Sequence, residues 1–555
     1  MTPKRRVRLG QKARRAALDE SQTRAAAKAA KRGRARDRTS YNERLVEGVD
    51  HRALDEAMAR VLAAQDEAAA APRRRSRGGA RAFPAAAPGR WVPIGPSVVR
   101  RGQAMDRPRV SGRVRDLQVD GTGTRAYAAT AMGGVWYTND GGATWSPVGG
   151  WAERSRVKGG SANAQACGSL LVVFNSSAGH DFVLVGTGEP SPSTTATGEG
   201  SLGGVGVLVA NRDVNAGAAT DPWEPDTGIT GLEGLGIFRL VRSPASTVGS
   251  NAGPTQDVVV ACTTNGAWVG RRSALAAGGG LPARDGFTWT KMATLQTRYP
   301  GISVTDAVWL SGGRLLMALA NVGLVYTDDL GATPPVDVVA SQAPATALLG
   351  NMSLAAAVGN RVYLLAEDAG APKLWQIPDA TLAAPAVNAC GGTGLPATLW
   401  PNQRDYDQAV AVDVISGTTD RVYVGGSAIQ PRAGTDYGAS LWCFDVVAGN
   451  LAASPTISGT AAPPAGAGAD KAGLIGNNVH GDVHAIRLTG PAAPRRQVWI
   501  GCDGGVFVSD RSGRVQTFAA VNTGMAALQP VFVRSHPVHG HMVAAGLQDN
   551  GTQVR

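Results

Sequence analysis

The sequence has few aromatic residues, few cysteines and no long apolar run. Tyr and Phe occur only nine times each in 555 residues. The cysteines, odd in number and without a C-x-x-C pair, are Cys167, Cys262, Cys390, Cys443 and Cys502. This spacing argues against a disulfide framework and favours buried free thiols. No apolar run approaches the ~20 residues that a transmembrane helix needs.

A secretory signal is also missing from the N-terminus. The first residues, MTPKRRVRLGQKARRAAL, carry charges but no apolar core of about 7–15 residues behind them. We therefore expect a cytoplasmic protein, unless a non-standard export route or a wrongly assigned start codon hides its destination.

Positive charge is concentrated at the N-terminus. Residues 1–81 hold 22 Lys/Arg and 10 Asp/Glu, so their net charge equals the +12 of the whole chain. Residues 1–70 are predicted to be a basic helical tail, and residues 71–90, rich in Ala, Pro, Arg and Gly, a flexible linker. The basic clusters have no interleaved aromatic residues, which does not favour nucleic-acid binding. A partial apolar stripe in the tail suits docking on a partner or on the protein's own domain.

The remaining residues, 91–555, have the signature of a repeated β structure. Gly occurs 73 times and Pro 32 times, which is typical of a chain with many turns and short strands. The segment from Val114 to Val148 contains VRDLQVD, RAYAAT, GVWYT, a tight turn and WSPV, four strands in the order of a propeller blade. Six degenerate copies and a partial eighth unit follow. The pattern predicts an all-β propeller of seven or eight blades.

The partial last unit leaves two explanations open. Residues 91–95, WVPIG, have the composition of an outer strand that completes this unit by ring closure. The alternative is that the chain is truncated at 555.

The tight turn of the first unit contains a recognisable motif. The segment Tyr137–Trp145 reads YTNDGGATW, and it resembles the Asp-box of bacterial neuraminidase repeat propellers, of the sialidase-like superfamily. The matching residues are Thr138, Asp140, Gly142, Thr144 and Trp145. The resemblance extends over most of residues 91–555 and includes short segments such as HGDVHAI, GCDGGVFVSD and GLQDNGT. It implies a bacterial member of that group.

Weaker copies of the box occur later in the chain. Thr327, Asp329, Gly331 and Thr333 fit the pattern, with Pro334 where Trp belongs, and Ser509, Asp510 and Gly513 fit it loosely. An Asp-box needs no ligand: the carboxylate bonds the turn, Gly adopts positive φ and Trp packs between sheets. The resemblance to sialidases implies an Arg triad, a Tyr/Glu nucleophile pair and an early Phe/Tyr-Arg-Ile-Pro motif. The nearest analogue of that motif, WVPIGP, lacks the Arg, and Tyr is scarce.

Acidic residues recur where one face of a propeller is expected. In a blade the innermost strand starts on the face to which the loop between the second and third strands returns. This geometry predicts a ligand site on that loop-rich face. The candidates are Glu189, Asp407, Asp482, Asp503, Asp549 and Asn550, with Glu199, Asp306 and His480 expected on the same face.

One local pattern suggests a metal site. His480, Asp482 and His484 alternate, and alternate residues of a strand share one face. Two imidazoles and a carboxylate suit Zn or Fe(II). The alternative is that one His caps a loop and the other bonds a backbone carbonyl. His536, His539 and His541 are expected on the opposite face.

Three functions fit the sequence. The first is a binding or scaffold propeller that recognises a glycan or a protein on the loop-rich face. The second is a glycoside hydrolase-like enzyme, not a typical sialidase, that uses acids at the propeller axis, 5–9.5 Å apart as glycosidases require. The third is an assembly factor whose helical tail docks a partner. No catalytic residue is assigned, and beyond a divalent metal no cofactor is expected.

Overall fold

The computed structural model describes most of the predicted β region. The described residues are 98–149, 165–177, 179–191, 202–217, 222–223, 231–244, 257–272, 287–338, 349–400, 406–430, 437–454, 472–535 and 543–554. The predicted tail, the linker and residues 91–95 lie outside them, as do Glu199, His536, His539 and His541. All described residues belong to one compact unit, Gln65–Arg555.

The described chain is almost entirely β, as the sequence predicts. The first four sheets, called blades 1 to 4, are β1–β4, β5–β7, β8–β11 and β12–β15. Their strands are β1 (Val114–Val119), β2 (Ala126–Thr130), β3 (Val135–Thr138), β4 (Ser146–Pro147), β5 (Cys167–Ser177), β6 (His180–Thr187), β7 (Val207–Asp213), β8 (Ile237–Arg242), β9 (Asp257–Thr263), β10 (Gly266–Arg272), β11 (Thr288–Lys291), β12 (Val304–Trp309), β13 (Leu315–Leu319), β14 (Gly323–Thr327) and β15 (Val336–Val338).

Blades 5 to 7 and a C-terminal sheet follow. Their strands are β16 (Leu349–Ala356), β17 (Val362–Asp368), β18 (Ala371–Ile377), β19 (Asn388–Ala389), β20 (Gly391–Gly392), β21 (Ala409–Val414), β22 (Thr419–Ile429), β23 (Gly438–Val447), β24 (Asn450–Ala453), β25 (Val483–Thr489), β26 (Gln497–Cys502), β27 (Gly505–Ser509), β28 (Ala519–Ala520), β29 (Pro530–Ser535), β30 (Val543–Leu547) and β31 (Gly551–Val554). Blade 5 is β16–β19, blade 6 is β20–β24, blade 7 is β25–β28, and the C-terminal sheet is β29–β31. One short helix, α1 (Ala293–Arg298), and a 3₁₀ turn, Ala397–Leu399, interrupt the strands.

Within each blade the strands pair in antiparallel order along the chain, and in blade 6 the added strand β20 pairs parallel to β24. The second strands are apolar and nearly fully buried; every residue of Ala126–Thr130 and of Leu315–Leu319 is buried. Both faces of these strands are covered by neighbouring sheets, so their near-continuous apolar runs are explained by packing.

Seven blades form a closed ring. The innermost strands contact one another in the order β1, β5, β8, β12, β16, β21 and β25, and β25 returns to β1. At the closure, Ala485 and Trp499 of blade 7 share one apolar cluster with Val114 and Leu117 of blade 1. The ring therefore has no exposed sheet edge at its seam.

The C-terminal sheet matches the predicted partial eighth unit, but it is not a blade of the ring. Its inner strand leaves Val531, Phe532 and Val533 about half exposed, at 50% each. Blade 7 packs directly on blade 1, and the predicted outer strand at residues 91–95 lies outside the described residues.

The first Asp-box turn has the geometry expected of a structural motif. Asp140 Oδ1 accepts hydrogen bonds from Thr138 Oγ1 at 2.7 Å and from Thr144 N at 2.9 Å. Gly142 has φ +88°, and Trp145 is buried, donating from Nε1 to Val521 O of blade 7 at 2.6 Å. The turn therefore fixes the Trp that joins blade 7 to blade 1.

The later boxes show which contacts define the turn. Asp329 accepts from Thr327 Oγ1 and Thr333 N, as Asp140 accepts from Thr138 and Thr144 in blade 1, and it also accepts from Gly331 N. In the third copy the side chain of Asp510 is 76% exposed and approaches only Arg511, at 3.8 Å. The loose match at Asp510 thus keeps the turn without its carboxylate bonds.

All five cysteines are buried free thiols, as expected. Among the described residues, the helices are too short or too polar to span a membrane.

Candidate functional site

Polar side chains from separate blades converge where the innermost strands begin. Arg113 directly precedes β1, and Asp407 lies two positions before the first residue of β21. Asp482 and His484 lie at the start of β25. Glu189 follows β6, and Asp503 lies in the two-residue turn between β26 and β27. We call Arg113, Glu189, Asp407, Asp482, His484 and Asp503 the axial site; all six are buried.

Arg113 connects most of this site. Its Nε and Nη2 donate to Asp503 Oδ1 and Oδ2 at 2.7 and 2.8 Å, and its Nη1 donates to Glu189 Oε1 at 2.8 Å. Burial alone opposes ionisation of both acids, but the guanidinium outweighs it. The pKa of Asp503 is therefore held well below its usual range, and the pKa of Glu189 is also lowered. Both acids are ionised at neutral pH.

Tyr406 lies against this ion pair. Its hydroxyl accepts from Arg113 Nη1 at 2.8 Å and donates to Glu189 Oε1. The guanidinium carbons of Arg113 and Arg115 lie 5.2 and 4.2 Å from the centre of the ring. Burial raises the pKa of Tyr406 well above its usual range, so the phenol stays protonated.

His484 is held on both ring nitrogens. A bulge at the start of β25, between Val483 and Ala485, turns its side chain out of the regular ladder. Nε2 lies 2.7 Å from Asp503 Oδ1, and Nδ1 lies 2.7 Å from Nη1 of Arg115. Burial, with Arg115 next in effect, lowers the pKa of His484 to about 4. The imidazole is neutral at pH 7, with its proton on Nε2 facing Asp503.

Asp407 and Asp482 form a carboxyl pair without a cation. Each group shifts the pKa of the other, which places the two carboxyl groups close together and favours one proton between them. Neither oxygen of the fully buried Asp407 accepts a hydrogen bond from a protein donor. Asp482 Oδ1 accepts only from Ala428 N, at 2.9 Å.

The pair is held near its protonated state by its surroundings. Burial, followed by the charges of Asp482 and Asp503, raises the pKa of Asp407 well above its usual range. Burial, followed by the charge of Asp503, raises the pKa of Asp482 to about 6. The nearest base on Asp407, His484 Nδ1 at 3.7 Å, is neutral and does not compensate it.

The C-terminal sheet adds an acid at the edge of the site. Asp549, in the β30–β31 turn, approaches Arg113 Nη2 at 3.9 Å, and its side chain is 25% exposed. Its neighbour Asn550 donates from Nδ2 to Ser111 O at 3.2 Å, which fixes the turn against the ring. The exposed fraction thus rises from 0% at Asp407 and 9% at Asp482 to 25% at the side chain of Asp549.

The sequence analysis placed these acids on one face, and the structure brings Glu189, Asp407, Asp482, Asp503, Asp549 and Asn550 together there. Asp306 does not join them. It lies within β12, and its carboxylate accepts from Arg239 Nε at 2.8 Å and from Leu354 N at 2.9 Å. These bonds give Asp306 a structural role outside the axial site.

The expected metal set is not formed. Asp482 has φ +64° and β25 begins only at Val483, so strand alternation does not extend through His480, Asp482 and His484. His480 Nδ1 lies 3.2 Å from Gly481 O, and both nitrogens of His484 are occupied by Asp503 and Arg115. Across the described part of the chain, no group of three His, Cys, Asp or Glu side chains is placed to hold a metal ion.

Sequence analysis missed the bases of the site. Arg113 and Arg115 flank the first residue of β1 in SGRVRD, and Tyr406 directly precedes Asp407. The signal was the position of these residues, since each occupies the same place before or within an inner strand as the predicted acids. Because Tyr is scarce in the chain, no repeated pattern marks Tyr406 as a site residue.

No protein-family model and no curated protein matches this chain. Among solved structures, a GH74 xyloglucanase from Xanthomonas campestris is 14% identical with a TM-score of 0.49, over 82% of this chain and 60% of that one. A GH74 enzyme from Niastella koreensis is 15% identical with a TM-score of 0.47, over 83% and 60%. The chain therefore spans well under two thirds of the length of either enzyme.

A smaller protein is matched over most of its length. YCF48 from Cyanidioschyzon merolae is 10% identical with a TM-score of 0.38, over 72% of this chain and 96% of that one. The propeller fold of this chain rests on its own ring of seven blades, and likenesses this distant bear on no activity.

Proposed function

We propose that this protein is a binding propeller that holds a polar group of a glycan or protein ligand at the axial site. The observation that carries the proposal is the fully buried Asp407, whose oxygens receive no protein donor. A buried carboxyl group in this state costs stability, which a donor from a ligand offsets.

The surrounding geometry supports a site and not a packing defect. The ion pairs of Arg113 fix Glu189 and Asp503, so the carboxyl pair sits on rigid walls built from three blades. The same face carries the loops between second and third strands, and rigid scaffolds commonly present ligand sites on such loops.

The second candidate is a glycoside hydrolase-like enzyme, favoured by the acid that the pair keeps protonated. A general acid must hold its proton near the working pH, and the pKa of Asp482 is raised to about 6. However, two carboxyl groups that share one proton lie closer together than the ~5–9.5 Å that the two acids of a glycosidase need. The second acid of such an enzyme would have to be another residue, such as Asp549.

A sialidase-like chemistry is less well supported. Tyr406 and Glu189 form a hydrogen-bonded pair of the residue types that the resemblance implies. Yet Arg113 is committed to Asp503 by two hydrogen bonds, and Tyr406 stays protonated. Among the described residues, the site therefore lacks a free arginine cluster for a substrate carboxylate.

The proposal is tested by measuring ligand binding to the full chain and to Asp407→Asn. Neutral oligosaccharides on an array, and a panel of short peptides, serve as probes. We expect at least one class to bind the wild type and to lose tenfold or more in affinity in Asp407→Asn. Asp510→Asn, which alters an exposed acid in a β27–β28 turn, is the matched control and keeps the affinity.

Two results would change this conclusion. Binding that survives Asp407→Asn unchanged removes the axial site from the account. Release of reducing sugar from a polysaccharide, lost in both Asp407→Asn and Asp482→Asn, moves the function to the hydrolase.

A further inference from the structure

Among the described residues, the axial site with its neighbours Arg115 and Asp549 has more acids than bases. Glu189, Asp407, Asp482, Asp503 and Asp549 supply five carboxyl groups, whereas Arg113 and Arg115 supply two guanidinium groups. His484 adds no charge at neutral pH because its pKa is lowered to about 4. Even with one proton held by the carboxyl pair, the site keeps a negative charge.

The excess charge is local to one pair. Arg113 pairs with Glu189 and Asp503, and Arg115 donates to His484 and Pro190 O. Neither guanidinium donates a hydrogen bond to Asp407, whose oxygens accept from no donor among the described residues. The group that would complete this site is a donor with a positive charge.

Access to the pair selects for shape. Exposure falls from a quarter at the Asp549 side chain to 9% at Asp482 and 0% at Asp407. A slender alkyl chain with a terminal cation needs less room to reach a deeply buried carboxyl group than a sugar ring does. The ligand group therefore has the form of a basic side chain.

We propose that the axial site binds the cationic end of a lysine or arginine side chain from a protein partner, with Asp407 and Asp482 as its acceptors and Asp549 at its entrance. This inference rests on the proposed function and names the ligand for it. The same chemistry is available in a free alkylamine, and the experiment separates the two sources.

Binding of a cation displaces the proton of the pair. In the free protein the carboxyl pair holds one proton; in the complex both carboxylates accept from the ligand, and the proton passes to solvent. The charged or titratable groups that act on the pair are Asp503, Asp549, Arg113 and His480. His484 Nδ1 lies 3.7 Å from Asp407 Oδ1. Affinity is therefore expected to rise with pH, about tenfold per unit while the pair still holds its proton.

The test is calorimetric titration of the full chain with the peptide acetyl-Gly-Gly-Lys-Gly-Gly-amide and its Arg counterpart. Titrations at pH 6 and 7, in two buffers of different ionisation enthalpy, count the protons released. The matched neutral probes carry norleucine or citrulline at the central position, and butylamine and cellohexaose complete the set.

We expect saturable binding of the Lys or Arg peptide, release of close to one proton, and binding of the neutral peptides weaker by tenfold or more. Asp407→Asn should bind the cation at least tenfold more weakly and release no proton, whereas Asp510→Asn should match the wild type. Asp549→Asn, altered at the entrance, serves as a second variant if Asp407→Asn does not fold, and it should weaken binding several-fold.

The outcomes separate the two proposals. Butylamine binding as tightly as the peptides overturns the protein partner and assigns a free amine. Equal binding of the norleucine peptide, or binding without proton release, overturns the cation. Cellohexaose binding that depends on Asp407, with no binding of cations, keeps the proposed function and overturns this inference. Failure of every probe to bind overturns both.

Discussion

Arg113 and Asp503 form a two-bond ion pair, with Nε–Oδ1 2.7 Å and Nη2–Oδ2 2.8 Å. The pair joins the residue before the first strand of blade 1 to a turn of blade 7 that lies 390 positions later in the chain. It therefore closes the axial end of the ring with charge, as the apolar cluster around Trp145 closes its outer part.

Loss of Arg113 is expected to be strongly destabilising. Arg113→Ala leaves Glu189 and Asp503 buried without their cation, and removing one partner of a buried pair costs about 3–5 kcal/mol. Chemical denaturation measures this as a drop in the free energy of unfolding. Arg511→Ala is the control, because its pair with Asp510 is mostly exposed and contributes at most about 1 kcal/mol. Equal effects of the two substitutions would contradict the assigned role of Arg113.

The carboxyl pair predicts a pH dependence of stability. A carboxyl whose pKa is raised on folding contributes most below its ordinary pKa, and this contribution is lost as pH rises through the raised value, about 6 for Asp482. In Asp407→Asn an amide donates to Asp482 without needing a proton. Its melting temperature should therefore rise relative to the wild type at pH 8 and not at pH 4.5.

Asp306→Asn is the matched control for the pair. Asp306 is equally buried, but it is bonded by Arg239. Its substitution should lower the melting temperature at both pH values, because it leaves a guanidinium unpaired. A melting temperature of Asp407→Asn that falls equally at both pH values would show that Asp407 is an ordinary structural acid.

His484 predicts a trend of the opposite sign. Its pKa is lowered from 6.5 to about 4 by burial and Arg115. The unfolded chain then takes up a proton before the folded one, so this residue's contribution to stability is lost as pH falls from about 6.5 to 4. Thermal unfolding of His484→Gln should show a weaker loss of stability over that range than the wild type. An identical pH profile in both proteins would refute the neutral, buried state of His484.

The Asp-box turn should act through stability alone. Asp140→Ala removes the carboxylate that accepts from Thr138 and Thr144, at a cost of about 1–2 kcal/mol. Asp510→Ala, at the corresponding turn of blade 7, should change little because its carboxylate makes none of these bonds. Trp145→Ala should cost about 3–5 kcal/mol through the lost packing on blade 7. Ligand affinity that falls while the melting temperature holds would argue against this view.

Much of the fold was predictable because the same order of strand runs recurs in every blade, so one weak copy does not hide the pattern. All seven blades and the eighth sheet were anticipated from strand runs such as RAYAAT, RVYLLAED and RVYVGGS. The number of blades in the ring was not, since closure depends on which inner strand packs against β1. That contact involves Val114 and Ala485, residues without any distinguishing pattern in the sequence.

The site was predictable in its acids and not in its electrostatics. The position of Asp407 and Asp482 before inner strands placed them on one face. The bulge at His484 and the positive φ of Asp482 broke the alternation on which the metal hypothesis depended. Pairing of Arg113 with Asp503, far away in the chain, decided which acids are neutralised, and no local pattern reveals such a partner.

The most direct test of the account is whether Asp407 and Asp482 share a proton at neutral pH. Infrared difference spectroscopy of the wild type against Asp407→Asn at pH 7 reports the carbonyl stretch of a protonated carboxyl group. The account predicts such a band in the wild type, its loss in Asp407→Asn, and its retention in Asp510→Asn. A wild-type spectrum at pH 7 that shows only ionised carboxylates at these positions would contradict it.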